Sequence, residues 1–280
     1  YHADRFEDRS LLFFDSADRL VAVLPAHRRG TELISHGGLT YGGFVTSARM
    51  TLLTMHNCFA ALQQHMRESA LLKLIYKAVP HIYHRQPAEE DLHALFLAGA
   101  RVHRRDVLLV IDHEQPYGAQ ERRRRALRKA EKAGVIVEET ADYAPYWDVL
   151  AENLRSKYGT TPVHSLDEIT LLASRFPEQI RLTVCRDANR VVAGVVAFVT
   201  ERVAHLQYIG STSEGRDSGA LDAVMQHLIA KFGDRRWFDF GAATEQDGRY
   251  VNAGLVEFKE GWGARTVVHD FYTLDVMEQP

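Results

Sequence analysis

A lysine set among aromatic residues near the end of the chain is the first candidate for chemistry. Lys259 directly follows Phe258, and Trp262 comes three residues later. A cation in such a setting can stabilise a developing oxyanion or contact a phosphate on a substrate, and Phe258 is a candidate substrate contact. The alternatives are a solvated lysine near a helix C-terminus, which the helix dipole favours, and an aromatic side chain that packs in the core.

A glycine-rich run at residues 35–43, SHGGLTYGG, is the second candidate. Its four glycines allow backbone N–H groups to approach a ligand closely, and polar ring residues between glycines are unusual in a mere linker. The alternative is a flexible loop with an incidental histidine. Five side chains in this run and just after Pro80 are candidate substrate contacts, with a structural role as the alternative: His36, Thr40, Tyr41, His81 and Tyr83.

The third candidate is the segment 210–219, which joins a predicted strand to a predicted helix. Backbone N–H groups at such a turn, together with the helix N-terminus, can bind an anion. Glu214 and Asp217 oppose an anion, and the alternative is a capped loop in which Ser218 is the N-cap. The candidate anion-binding residues are Ser211, Gly215, Arg216, Ser218 and Gly219.

These candidates suit the transfer of an acyl group to an amine. The amine must be neutral when it attacks, the carbonyl oxygen needs hydrogen-bond donors, and the leaving group must be stabilised or protonated. Neither Cys58 nor Cys185 has a motif for thiolate chemistry, so direct attack by the amine is favoured. Asp112, Asp239 and Glu245 lie at or just beyond predicted strand ends, and any of them can be the general base.

A basic helix is predicted over residues 120–133. It begins with the run Arg122–Arg125 and adds Arg128, Lys129 and Lys132. Such a charged face can contact tRNA, a nucleotide-sugar diphosphate or a coenzyme phosphate. The alternative is a solvated linker helix, and the lack of interleaved aromatic residues argues against recognition of single strands.

Composition excludes several classes. The 280 residues have a formal net charge of -3 at pH 7, so no global field attracts nucleic acid or membrane. We find no Cys and His spacing typical of a metal site, no apolar run near the ~20 residues that span a bilayer, and no signal peptide. We therefore expect a cytoplasmic protein without a metal. The sequence does not determine its oligomeric state. Because the chain opens at Tyr1 on a sequence typical of a domain interior, we also expect residues upstream.

The elements that position these candidates occur twice along the chain. A hairpin over residues 11–24 has a counterpart over residues 180–199, with an Asp- or Asn-containing turn in each. A helix with one apolar face begins at Ala48, and a second begins near Ser218, about 170 positions later. This offset indicates an internal repeat at the scale of a domain. Ser165 and Glu168 form a predicted capping box in the second half.

We accordingly predict an α+β fold with mixed, mostly antiparallel sheets flanked by helices. The first domain should cover residues 1–115 and lack its first elements. The second should cover residues 116–280, with the basic linker helix 120–133 at its start. This order of strands and helices resembles the GCN5-related N-acetyltransferase (GNAT) fold, and two copies in one chain resemble the FemAB-type acyltransferases.

Three local matches carry this resemblance. The segment 252–263, NAGLVEFKEGWG, is similar to the "GL..FK..FG" ending of the FemAB family, with Trp262 at a position where phenylalanine is usual. The segment 125–135, RALRKAEKAGV, is similar to the family's basic helix between domains. The run 35–43, SHGGLTYGG, resembles that of a subgroup found with polysaccharide-biosynthesis genes.

The resemblance implies an N-acyltransferase with tandem GNAT-like (acyl-CoA N-acyltransferase) domains and a catalytic lysine at Lys259. It also implies that the segment 210–219 cradles the pyrophosphate of coenzyme A, although the usual Arg/Gln-x-x-Gly-x-Gly/Ala pattern is incomplete here. The expected partners are acyl-CoA as a small-molecule donor and an amine of a sugar or cell-envelope precursor as acceptor. The alternatives are an aminoacyl-tRNA-dependent transferase of FemAB type and a non-catalytic binding or scaffold protein of polysaccharide assembly.

Overall fold

The computed structural model describes residues 5–276 of the chain. The expectation of residues upstream of Tyr1 lies outside this range. The chain forms two compact units. Unit 1 comprises the described residues up to Val107, Thr244–Tyr250 and those from Val268 onward, and unit 2 comprises Leu108–Ala243 and Val251–Val267.

The elements are bounded as follows. The strands are β1 Glu7–Asp8, β2 Leu11–Phe14, β3 Leu20–Leu24, β4 His27–Arg29, β5 Glu32–Ile34, β6 Val45–Thr46, β7 Lys73–Lys77, β8 Arg101–Asp112, β9 Ile136–Thr140, β10 Ile180–Asp187, β11 Arg190–Val199, β12 Val203–Ser211, β13 Trp237–Ala242, β14 Thr244–Glu245, β15 Tyr250–Val251 and β16 Arg265–Asp275. The helices are α1 Leu52–Glu68, α2 Glu90–Leu97, α3 Glu121–Ala133, α4 Ala144–Tyr158, α5 Leu166–Arg175, α6 Ser213–Ser218, α7 Ala220–Lys231 and α8 Ala253–Glu260.

In unit 1, a parallel pair of strands is joined by a long helix. β5 pairs in parallel with β7, and α1 lies between them in the chain because a parallel connection needs a crossover. Thr51 caps α1 through its side chain, and the helix buries an apolar face against the core. The buried residues of that face are Met55, Cys58, Phe59, Leu62 and Met66. The C-terminal strand β16 pairs antiparallel with β7.

In unit 2, the same arrangement recurs. β12 pairs in parallel with β13, and α7 crosses between them with its apolar face buried. The remaining strand pairs are antiparallel, in the order β9, β10, β11 and β12. Ser165 and Glu168 form the predicted capping box at the start of α5. Each unit therefore has a crossover helix between parallel strands, which confirms the predicted α+β fold with mixed, mostly antiparallel sheets.

The two compact units are not separated by one boundary near residue 115, as the predicted domains are, because each unit contains more than one segment of the chain. β16 returns to unit 1 because its residues pair with β7, and a sequence pattern gives no information on such distant pairing. The two hairpins also differ in their partners. β2 and β3 form a separate three-stranded sheet with β6, whereas β10 and β11 lie within the main sheet of unit 2.

Candidate active site in the second unit

A buried histidine–aspartate pair lies where the parallel register of β12 and β13 ends. The register joins Val203 with Trp237 and finishes at His205 with Asp239. The His205 Nδ1 atom lies 2.9 Å from Asp239 Oδ2, and the two residues are 7% and 0% exposed. A carboxylate on Nδ1 fixes the tautomer of a neutral histidine with the proton on Nδ1, so that Nε2 is an acceptor.

The backbone that follows Asp239 turns sharply at Gly241. Its φ angle is +74°, a conformation that favours glycine, and its N–H donates to Asp239 Oδ1 at 2.7 Å. The strand is also irregular in its pairing with β8, where the register shifts between Asp239 and Ala242. The Asp239 carboxylate thereby forms hydrogen bonds both with the imidazole of His205 and with the turn of its own strand.

Lys259 contacts this turn from helix α8. Its Nζ donates to the Gly241 carbonyl oxygen at 2.9 Å and to the Ala242 carbonyl oxygen at 2.7 Å. The side chain is 3% exposed. Burial lowers the pKa of its ammonium to about 8, and the charge of Asp239 opposes this shift. The predicted alternative of a solvated lysine is therefore wrong, because the ammonium is held inside unit 2.

Helix α8 is positioned by contacts at both of its ends. Asn252 caps its N-terminus by accepting from the Leu255 N–H at 3.1 Å. The Arg123 guanidinium lies over the Phe258 ring, 4.9 Å from its centroid, and Trp262 is 2% exposed. Phe258 thus contacts a buried arginine, and its role as a substrate contact stays a prediction.

The segment 210–219 contains a short helix, α6, whereas the alternative to anion binding is a capped loop with Ser218 as N-cap. That alternative is wrong because Thr212 caps α6 and Gly219 lies between α6 and α7 with a φ angle of +82°. The Arg216 guanidinium donates to the Ser211 carbonyl oxygen at 2.9 Å, and the Ser218 hydroxyl donates to the Gly215 carbonyl oxygen at 3.2 Å.

Gly215 and Gly219 are enclosed by backbone atoms of unit 2. A Cβ atom on Gly215 would lie 2.2 Å from the Val192 carbonyl oxygen, and one on Gly219 would lie 2.3 Å from the Ala126 carbonyl oxygen. Close packing on β11 and α3 therefore explains why glycine stands at these positions. The binding of a pyrophosphate by the five predicted residues stays a prediction.

Replacing Gly215 with alanine is expected to lower the free energy of unfolding by about 1–3 kcal/mol, because the new methyl group overlaps a fixed carbonyl oxygen. Gly254→Ala is a matched control, since Gly254 also lies in a helix but its Cβ would be 3.5 Å from the nearest atom. That variant should be neutral or slightly more stable, as alanine favours a helix. Urea unfolding of both variants measures the difference, and equal stabilities would refute the packing argument.

The basic helix α3 buries one of its arginines in unit 2, and three others form ion pairs at the surface. Arg123 is buried and its NH1 atom lies 2.8 Å from Asp222 Oδ1. Arg122 forms an ion pair with Glu257, while Arg124 and Arg128 both pair with Glu121 of the same helix. Arg123 is therefore a structural residue, while Arg122, Arg124 and Arg125 are exposed, as the alternative of a solvated helix requires.

The glycine-rich run of unit 1 brings together some of the predicted substrate contacts. The hydroxyl of Tyr41 is hydrogen bonded to that of Tyr83, with ring centroids 4.1 Å apart. His36 lies beside Phe6 instead, with the two rings tilted and their centroids 5.2 Å apart. Thr40 and His81 are exposed. All five roles in substrate binding stay predictions.

Three of the residues that stand out in the structure were not found from the sequence: His205, Lys77 and His269. Among the three candidate bases, Asp239 is fully buried against His205. Asp112 is near the Arg236 guanidinium at 3.6 Å. Alternation along β12 could have indicated a buried histidine, but its partner follows only from strand pairing.

Two crossover units, one of which carries a buried histidine–aspartate–lysine group, define a tandem α+β protein. A family model described as the acetyltransferase (GNAT) domain matches residues 119–259, which is about half of the chain. The chain therefore belongs to the GNAT acetyltransferase family, and the protein is an N-acyltransferase. No curated protein matches the sequence.

Three solved structures illustrate the likeness of fold. FemX is 11% identical with a TM-score of 0.66, over 96% of this chain and 88% of its own. L-PGS from Bacillus licheniformis is 15% identical with a TM-score of 0.65, over 98% and 85%. The C-terminal DUF2156 domain of a proposed lysylphosphatidylglycerol synthetase from Agrobacterium fabrum is 13% identical with a TM-score of 0.65, over 95% and 84%. At these identities the likeness shows the fold.

Two further findings concern partners. None of the helices within residues 5–276 is long and apolar enough to cross a membrane. In the same part of the chain, no group of three or more His, Cys, Asp or Glu side chains could hold a metal ion.

Proposed function

We propose that the protein transfers an acyl group from acyl-CoA to an amine of a sugar or cell-envelope precursor, using the His205, Asp239 and Lys259 group. The observation that carries this proposal is the buried network at the end of the β12 and β13 register. It lies within the segment matched by the acetyltransferase family, and it joins an imidazole, a carboxylate and an ammonium through hydrogen bonds.

Each member of the network has a distinct role in the proposed reaction. The neutral amine attacks the thioester carbonyl, a C–N bond forms, and the C–S bond breaks to release the coenzyme thiolate. His205 accepts the proton from the attacking nitrogen and returns it to the thiolate, while Asp239 stabilises the imidazolium that forms in between. Lys259 fixes the carbonyl groups of Gly241 and Ala242 and thereby the backbone turn beside Asp239.

The choice of donor depends on α3 and on the family match. A tRNA would be recognised largely through phosphate contacts from basic side chains, and the Arg123 side chain of α3 is not available for such contacts because it is buried against Asp222. The matched family is described as an acetyltransferase. Both points favour acyl-CoA over a charged tRNA.

The test is a donor and acceptor matrix. Purified protein is incubated with acetyl-CoA or a longer acyl-CoA and with a series of amines that includes glucosamine and a simple alkylamine. The expected result is one free coenzyme thiol released for each acylated amine, as measured by thiol titration and mass spectrometry. Product formed only from charged tRNA, with strong dependence on salt, would contradict the assignment of the donor.

A second candidate function is aminoacyl transfer from a charged tRNA. The similar fold of FemX and of the proposed lysylphosphatidylglycerol synthetase favours it, since the second name specifies a lysyl group joined to a phospholipid. The tRNA arm of the same matrix tests this candidate directly.

Asp239→Asn is expected to lower kcat about tenfold to a hundredfold, because an amide can donate to His205 Nδ1 and favour the wrong tautomer. The fold should persist, as asparagine has the same shape and can still accept from the Gly241 N–H. Urea unfolding of the variant separates this effect from general damage, since the free energy of unfolding should change far less than kcat. Asp234→Asn, at an exposed turn, is the matched control; equal turnover in both variants would remove Asp239 from the mechanism.

A further inference from the structure

Helix α8 carries Lys259 but is not stabilised by a fully buried apolar side chain of its own. The structure describes all eight residues of this helix, and Lys259 is the one among them that is buried. Short helices in proteins are stabilised mainly by the packing of an apolar face. Since α8 lacks such a buried face, contacts with other elements of unit 2 must fix the place of the Lys259 ammonium.

Arg123 of α3 makes a contact directly beside this lysine. Its guanidinium lies 4.9 Å from the centroid of the Phe258 ring, and Phe258 immediately precedes Lys259 in the chain. A cation over an aromatic ring is attracted to it, and the attraction is stronger where water is excluded. The Arg123 side chain is buried, so this contact between α3 and α8 is of the stronger kind.

The backbone at the end of α8 also packs on the start of α3. The N–H of Gln120, the residue before α3, donates to the Gly261 carbonyl oxygen at 2.8 Å. A Cβ atom on Gly261 would lie 3.4 Å from Arg123 Cδ. The first turn of α3 therefore contacts the residue before Lys259 and the residue two positions after it.

The guanidinium of Arg123 is fixed on its other side by the crossover helix α7. Its NH1 atom lies 2.8 Å from Asp222 Oδ1, and Asp222 is buried as well. A planar guanidinium can donate hydrogen bonds in its plane while its face stacks on an aromatic ring. Because α7 also buries Val224, Met225 and Leu228, Arg123 connects α8 to an element that is packed in the core.

We propose that Arg123 is a positioning residue for Lys259. Through the Phe258 ring it keeps α8 at the place where the Lys259 ammonium donates to the carbonyl oxygens of Gly241 and Ala242. The placement of Lys259 does not depend on any reaction, whereas its consequence for turnover rests on the proposed function. The arginine run of α3 thus contributes to the site without binding a phosphate.

NMR of the whole protein with 13C-labelled lysine tests this placement without any substrate. The Lys259 signal is identified by its absence in Lys259→Met, and it should titrate at a pKa of about 8 because burial lowers that pKa. Phe258→Ala removes the ring but leaves the ion pair of Arg123 intact. The ammonium should then reach solvent, and its pKa should rise to at least about 9, toward the ordinary value of 10.5.

A second variant and a control complete the experiment. Arg123→Met with Asp222→Leu removes the guanidinium without a change in net charge or an unpaired buried charge, and the same rise of the Lys259 pKa is expected. Arg122→Met is the matched control, because it breaks the contact of α3 with Glu257 between side chains that are 61% and 64% exposed. Exposed ion pairs contribute little, so the pKa of Lys259 should stay at about 8.

A Lys259 pKa that stays at about 8 in a folded variant without the ring or the guanidinium would overturn the proposal. Either variant decides the question if the other fails to fold.

Turnover with the simple alkylamine supplies a double-mutant cycle. The replacement of Arg123 and Asp222 should lower kcat at least about tenfold in the wild-type background and cause no further loss in Lys259→Met, because both changes act through one ammonium. Additive losses would contradict the positioning role. Full turnover in Lys259→Met would count against the proposed function instead, and it would leave the result on the placement of Lys259 unchanged.

Discussion

Lys259→Met is expected to lower kcat about 100- to 1000-fold while the protein stays folded. Methionine is similar in length to lysine but cannot donate, so the carbonyl oxygens of Gly241 and Ala242 lose their shared partner. The turn beside Asp239 then relaxes, and the site loses the positive charge of the lysine. Removing one preorganised electrostatic group lowers kcat by about 100- to 1000-fold in other enzymes. Turnover with the best donor and amine pair is the measurement.

The same variant has a second readout in the pH dependence of stability. In wild type the folded-state pKa of Lys259 is about 8, against an ordinary value near 10.5 in the unfolded chain. Between these pH values the unfolded state binds the proton and the folded state does not, so stability rises with pH by up to about 3 kcal/mol. Lys259→Met should lack this rise.

Lys132→Met is the matched control because Lys132 is an exposed lysine of α3. Its turnover and its stability profile should follow those of wild type. Full turnover in a folded Lys259→Met protein would exclude the lysine from the mechanism. If the stability of this variant still rose above pH 8 as in wild type, the lowered pKa of Lys259 would not be the cause of that rise.

Local features of the fold were predictable because their causes lie within a few residues. The capping box of Ser165 and Glu168 needs two side chains three positions apart, and the hairpin of β10 and β11 needs a tight turn between two apolar runs. Asn252 and the apolar spacing after it likewise indicate the start of α8. The crossover helices α1 and α7 stood out because one apolar face recurs at the helical period.

The site was predicted only in part, because its geometry depends on pairing between distant segments. Lys259 was singled out from its neighbours and from the family resemblance. His205 was not, since it meets Asp239 only through the parallel register of β12 and β13. Of the three candidate bases that the sequence left open, the structure shows which one is buried against a histidine.

Charge patterns were the least informative part of the sequence. The run of arginines in α3 is typical of a phosphate-binding face, yet one of them, Arg123, is buried against Asp222. A sequence shows how many charges a helix carries but not which carboxylates fold back onto them. Gly215 and Gly219 are a similar case. A glycine at these positions is compatible with ligand binding, but close packing between elements explains both of them.

Asp222→Ala is expected to destabilise the protein by about 3–5 kcal/mol, because it leaves the buried Arg123 guanidinium without its carboxylate. Burial raises the pKa of Asp222, and the neighbouring charge of Arg123 opposes that shift; the pair thus holds two charges that are both costly to desolvate. Urea unfolding at pH 7 is the measurement.

The matched control is Glu257→Ala, which breaks the ion pair of Arg122 with an exposed carboxylate. An exposed pair of this kind contributes about 0–1 kcal/mol, so the two variants should differ severalfold although both remove a partner of an α3 arginine. A double replacement, Arg123→Met with Asp222→Leu, should recover much of the loss because no buried charge remains. Equally small losses of unfolding free energy for Asp222→Ala and Glu257→Ala would mean that the Arg123 guanidinium can reach solvent. It could then contact a phosphate, and that result would support α3 as a tRNA-binding helix.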